Sequence, residues 1–177
     1  MKNQTLDTIS ARRSCRSYSD LPVTAEELKT VLDAGILAPS AKNLQERRIT
    51  VVRNKALIDE LNDAIMPTLG DRPEGYHVFH RAPVVIVLSA AKQARWGKED
   101  IGIMIQNMCL AAESIGLGTC ILGLPQRLLE KEEARHWLDR LAVPADYDSV
   151  LCLSLGHKAD ADIPAKPRNY DVVTYID

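Results

Sequence analysis

The chain has 177 residues, with 22 Lys and Arg against 24 Asp and Glu for a net charge of −2, a length that suits one domain with a substantial core. That balance supplies no global basic field for nucleic acid or an anionic membrane, and the longest strongly apolar run, 83–91, is far short of the roughly 20 residues of a membrane span. The polar start Met1-Lys2-Asn3-Gln4 has no signal-peptide core, and four scattered cysteines form no Cys-x-x-Cys pair, so reduced thiols in a cytoplasmic protein are expected.

Residues 4–11 predict a short helix with Leu6 and Ile9 turned inward. It runs into Arg12-Arg13-Ser14-Cys15-Arg16-Ser17-Tyr18, three arginines within five residues with serines between them. Such a cluster suits a phosphate, whose oxygens pair with guanidinium forks and accept from hydroxyls; the alternative is a solvated charge run. Thr24-Ala25-Glu26-Glu27 is a capping box. It starts a helix at Ala25 that continues through Leu28, Val31, Leu32 and Ile36 and ends between 35 and 39. Residues 38–45, Ala-Pro-Ser-Ala-Lys-Asn-Leu-Gln, carry no helical or strand period and form either a binding loop or an ordinary connection.

A strand over 48–53 and an amphipathic helix over 55–66 follow. Residues 66–75 hold two prolines and two glycines and make a lid or simply a long loop. His77 and His80 lie three apart, but no further ligand completes a set, so no metal is expected there. The run 83–88, rich in β-branched residues, predicts a buried strand.

The stretch 100–123 organises the rest. Ile101, Met104, Ile105, Met108, Ala111, Ala112 and Ile115 recur at helical spacing, and Ile103 and Leu110 widen the apolar surface. Only a narrow stripe at Gly102, Gln106, Cys109 and Glu113 is left over, so this helix belongs in the middle of the protein. Glu99 and Asp100 favour its start, and Gly116 and Gly118 stop it. A short strand over 119–122 then ends at Gly123, a bare backbone position that a flat ligand can approach closely. A helix from Pro125 to about Leu141 and a buried strand over 149–155 complete the regular elements. Beyond Gly156 the chain is polar and extended, with Pro164 and Pro167 excluding a helix and Lys166 and Arg168 nearby. Four apolar strands among five or six helices predict an α/β or α+β sandwich with helices on both faces. Around the glycines at 116, 118 and 123 the order is helix then strand, the reverse of a dinucleotide-binding turn, and the third spacing is wrong, so such a site is disfavoured.

Taken together, these stretches resemble the FMN-dependent nitroreductase family, over nearly the whole chain. Arg12 to Tyr18 is similar to that family's N-terminal Arg-x-Ser-x-Arg/Lys-x-aromatic signature. Residues 38–45 resemble its Ala-Pro-Ser-x-x-Asn-x-Gln loop, Gly116-Leu117-Gly118-Thr119-Cys120 through Leu122-Gly123 its strand beneath the flavin, and Lys166-Pro167-Arg168 its C-terminal Lys-x-Arg. The sequence departs from the pattern at Glu46-Arg47, where many relatives have Pro-Trp, and at Ile121, where an aromatic residue is common.

The resemblance implies one domain over 1–177, with 156–177 as an extended arm. The implied fold is a three-layer α+β sandwich, its central mixed sheet of four or five strands flanked by helices, in an intertwined homodimer with FMN between the subunits. Arg12, Ser14, Lys166 and Arg168 would hold the phosphate, with Arg13 part of the same cluster, and Arg16 would reach the ring side. Pro39, Ser40 and Asn43 would come from the partner subunit, and the backbone of Leu122 and Gly123 would face the reactive N5 edge. The implied activity passes electrons from NADH or NADPH through flavin N5 to nitroaromatics, quinones or related acceptors, by a ping-pong cycle without a catalytic side chain. Enone reduction, dehalogenation or flavin breakdown are alternatives, as is a non-enzymatic FMN-binding redox module.

Overall fold

A computed structural model describes residues 1–160 and 163–176. Four strands form one sheet in the order β1-β2-β4-β3: β1 (Arg47–Val52), β2 (Val84–Ala91), β3 (Leu117–Leu122) and β4 (Tyr147–His157). All three strand pairs are antiparallel. The parallel contribution to the sheet is an isolated bridge from Ser14 to Thr119 on the β3 edge.

The alternation of β2 explains the layers. Val84, Ile86, Leu88 and Ala90 enter one apolar cluster with helices α2 (Ala25–Ile36) and α4 (Gly97–Ser114). Val85 and Val87 enter the other, with α3 (Lys55–Ile65), Phe79 and the α5 (Gln126–Leu129) and α6 (Arg135–Arg140) region. A strand buried on both faces reads as a continuous apolar run, and each fully buried aliphatic side chain contributes about 1.5–3 kcal/mol.

Helix α2 begins at the expected capping box, Thr24 accepting from the Glu27 N–H and the Glu27 carboxylate accepting from Thr24. Helix α4 starts at Gly97, a turn earlier than its apolar period, with Glu99 and Asp100 in its first turn. It stops at Gly116, whose φ of 85° only glycine adopts without strain.

Three expectations fail here for physical reasons. Cys109 belongs to the core rather than the polar stripe of α4, whereas Ile103 is 43% exposed. Helix α1 (Gln4–Ala11) buries none of its residues. It meets α4 through Gln4, Thr5 and Thr8, which line a crevice with Leu110, Ala111 and Ser114, so Leu6 and Ile9 face outward. The helix expected from Pro125 to Leu141 is broken by an extended residue, Lys131, and a 3₁₀ turn over Glu132–Ala134. The break re-aims the chain so that Leu129 and Leu138 both reach the core. Residues 161, 162 and 177 of the arm lie outside the described residues.

Candidate functional site

The segment after α1 is stitched onto the β3 and β4 ends. The Cys15 N–H donates to the Thr119 carbonyl at 2.8 Å, Ser19 to His157 at 2.9 Å, and Ala159 back to Ser17 at 3.1 Å. Cys15 is buried against Gly118, where an added Cβ would lie 2.7 Å from both its Cβ and its Sγ. Gly118 is therefore small because this segment crosses it. Tyr18 donates its hydroxyl to the Cys15 carbonyl at 3.0 Å.

With Cys15 inward, the side chains on either side line a pocket of about 110 Å³. Arg12, Arg13, Ser14 and Arg16 meet Ile163, Pro164, Lys166 and Arg168 of the arm there. Five cations and no carboxylate, among the described residues, face one small space. Such a set is chemically suited to an anion with several oxygens. Arg13 differs from its neighbours, because its Nη1 donates to the Ser10 and Arg12 carbonyls at 2.6 and 2.9 Å at the end of α1. Its Nε is buried without a partner among the described residues. Arg16 is exposed, and its Nη1 donates to the Ser14 carbonyl at 3.4 Å, its one hydrogen bond among the described residues. An adjoining hollow of about 410 Å³ is lined by Ser14, Arg16, Ser17, Asp160, Ile163 and Pro164.

Leu122 is buried at the end of β3, and Gly123 is exposed. A Cβ on Gly123 would find nothing nearer than Gln126 Oε1 at 3.7 Å, so its backbone is open to a flat group. The Ser14–Thr119 bridge and the Cys15 N–H bond to Thr119 set the arginine segment along β3, where burial raises the Cys120 thiol and Arg16 and Arg12 pull it back.

The 38–45 loop is built for rigidity elsewhere. The Ala41 N–H donates to Asp100 at 3.0 Å, Arg47 reaches the Pro39 and Ala38 carbonyls at 3.0 Å each, and the Gln45 N–H donates to Ser40 Oγ at 3.1 Å. Lys42, Asn43 and Gln45 all have positive φ. These bonds tie Pro39, Ser40 and Asn43 to β1 and the first turn of α4. The arginine pocket lies on β3, three strand spacings away across the sheet, or roughly 14 Å. Helix α1, which leads into that pocket, meets the far end of α4, whose 18 residues span about 27 Å. One chain thus brings Arg12, Arg13, Ser14, Arg16, Lys166 and Arg168 together, and keeps Pro39, Ser40 and Asn43 apart from them.

The sequence reading weighed His80 only as a metal ligand. His80, half-buried, lies at a turn where His80 and Arg81 have φ of 54° and 55°. Burial, then Arg16, then His77 lower its proton affinity below that of an ordinary histidine. Nothing in a histidine flanked by Phe79 and Arg81 signals a left-handed backbone. His77 is buried and structural, with Nδ1 accepting from the Phe79 and Arg81 N–H groups and Nε2 3.3 Å from Asp59.

The model of the nitroreductase family matches residues 9–157. The chain belongs to the nitroreductase family. The chain is 30% identical over 175 residues to the NADPH-flavin oxidoreductase of Vibrio harveyi, covering 94% of this chain and 70% of that protein. It is 28% identical over 184 residues to the FMN reductase [NAD(P)H] of Bacillus subtilis, with the same coverage of each. Among solved structures, the nitroreductase of Bacteroides fragilis with bound FMN superposes with a TM-score of 0.90 at 29% identity, over 99% of this chain and 100% of that one. The FMN-bound nitroreductase of Desulfitobacterium hafniense gives 0.89 at 30% identity, over all of both chains.

Proposed function

We propose that this nitroreductase binds FMN in the arginine pocket and passes reducing equivalents from NADH or NADPH to nitroaromatic, quinone or related small acceptors. The observation that carries this reading is the pocket itself: five cations, one with an orphaned buried Nε, and no carboxylate among the described residues that line it. That donor set fits a phosphate monoester dianion, and the bare strand end fits a planar ring. Arg12, Ser14, Lys166 and Arg168 hold the phosphate, with Arg13 adding its Nε. Each charge-assisted bond is worth about 1.5–3 kcal/mol net, so several together retain the cofactor without a covalent link. Arg16, which forms no ion pair among the described residues, presents a cation where reduction leaves negative charge, which makes the reduced state easier to reach. The Leu122 and Gly123 backbone supports the ring. When bound, FMN supplies hydride acceptance and return at N5, in alternating half-reactions.

Pro39, Ser40 and Asn43 complete the site from a second copy of this one-domain chain, because their own chain keeps them far from its pocket. The protein is therefore a homodimer with composite sites. The visible spectrum of the purified protein, identification of the released cofactor and anaerobic reduction with each nicotinamide test the reading. The expected result is one FMN per chain, bleached by NADH or NADPH and reoxidised by a nitroaromatic. A colourless protein that takes up no FMN overturns it, and a flavin that neither nicotinamide reduces makes it a binding module instead.

A further inference from the structure

The turn 77–81 presents one side chain that its own architecture does not use. His80 and Arg81 are consecutive non-glycine residues in the left-handed region, a conformation that persists only where the surroundings over-determine it. Both ends of the turn are pinned. Val78 and Phe79 are fully buried, and the Val78 N–H donates to Asn62 Oδ1 at 2.8 Å. The Ser154 hydroxyl donates to the Phe79 carbonyl at 2.9 Å, and His77 holds the Phe79 and Arg81 N–H groups. None of these bonds involves the His80 ring. That ring meets Tyr76 edge-on, with centroids 6.3 Å apart, and makes no hydrogen bond to the described residues.

The Ser154 hydroxyl that holds the Phe79 carbonyl belongs to the residue paired with Cys120 of β3, and the Cys15 N–H bonds the neighbouring Thr119, so the turn and the Arg16 segment come to the same stretch of β3. Burial, then Arg16, then His77 lower the proton affinity of the ring. Arg81 is its chain neighbour, and Arg72 sits over the Tyr76 ring at 5.5 Å. An unpaired Arg16 repels a second positive charge nearby. An anion set against Arg16 removes that repulsion and attracts a proton to the imidazole.

We propose that His80, held free beside Arg16 by the strained turn, takes up a proton when the bound cofactor is reduced and releases it to the acceptor when that charge leaves. This rests on the FMN reading above. A hydride from NADH or NADPH brings two electrons and one proton to the ring, which gains one negative charge, and a proton from water goes to His80 to balance it. The acceptor then receives the hydride together with that proton, gaining two electrons and two hydrogens, and His80 returns to the neutral form.

The test is a proton NMR titration of the histidine ring signals in the FMN-loaded protein, oxidised and then reduced by dithionite. The chain has only His77, His80, His136 and His157, and His80→Asn assigns the signal. Asparagine tolerates positive φ better than most residues, so this variant is expected to fold and keep FMN. The His80 ring should bind its proton at least about tenfold more tightly in the reduced protein, with His136 and His157 unmoved. Reduced H80N should take up fewer protons per FMN than the unaltered protein. A His80 signal that titrates alike in both states, or equal proton uptake in H80N, overturns the inference alone. A chain that binds no FMN overturns the reading on which it rests as well.

Discussion

Five cations converge on one small pocket, and their mutual repulsion is relieved only by water or by an anion between them. Replacing Arg12 or Arg168 by alanine should therefore cost FMN affinity rather than the fold, since neither side chain belongs to the core. Loss of one charged partner of a phosphate amounts to about 2 kcal/mol, roughly a thirtyfold weaker complex. Titrating the apo-proteins with FMN by fluorescence quenching measures it, and unchanged affinity in both variants would return these arginines to solvent. At this scale the sequence showed which residue types gather, because Arg, Ser and Lys carry their chemistry in their names. It did not show that Arg13 bends back on the end of α1, nor that Gly118 is small to admit Cys15. Both depend on contacts between segments distant in the chain.

Among the elements, those read well have local causes: the capping box of α2, the acidic first turn of α4, the doubly buried β2. Those read badly were decided by tertiary packing. Lys131 breaks a segment with helical composition so that Leu129 and Leu138 face one core, and α1 turns its polar edge to α4 against its own apolar pattern. The 77–81 turn is the sharpest case, since a neutral His77 ring caps it. Burial lowers the proton affinity of His77, and the hydrogen bond to Asp59 only partly restores it. The unfolded chain has an ordinary histidine near pH 6.5, so below that pH it binds a proton that the folded chain refuses. Stability from this group is complete above pH 6.5 and falls as pH drops toward the lower folded value. Protonation at Nδ1 would also aim a proton at two backbone N–H groups. The urea midpoint at saturating FMN should be flat from about pH 8 to 7 and decline toward about pH 5.5, with His77→Gln reducing the decline and the lowered His80 supplying the part that remains. A midpoint that rises on acidification would reverse the assigned sign. The lowered carboxyls of Glu27 and Asp59 act in the same direction but below the ordinary carboxylate range, outside this window.

For the whole molecule, the described chain leaves apolar surface that a lone subunit has no use for. Leu6 and Ile9 of α1, Ile36 and Leu37 at the end of α2, and Ile103 of α4 are exposed. Toward its end the arm carries Tyr170, Val172, Val173, Tyr175 and Ile176, with Tyr175 at 83% and Ile176 at 94% exposure, so none of these is buried against the described residues of its own chain. Its upstream half is engaged, because Lys166 and Arg168 close the arginine pocket. The whole arm of about 22 residues could extend roughly 70 Å, ample to reach a second copy. The 38–45 loop is tied to β1 and the first turn of α4, at the sheet edge opposite β3. The twofold pairing proposed above would answer both observations at once: each arm would anchor on the partner, and each loop would finish the partner's site. Such an interface belongs at the large, apolar end of the known range, above about 2,000 Å². Truncation after Arg168 keeps the phosphate-binding residues and removes only the anchor. It should yield monomers that also lose FMN, both transitions following the same concentration dependence in sedimentation velocity monitored at a flavin wavelength and at 280 nm. A truncated protein that sediments as a monomer yet retains FMN and activity would show that each chain completes its own site.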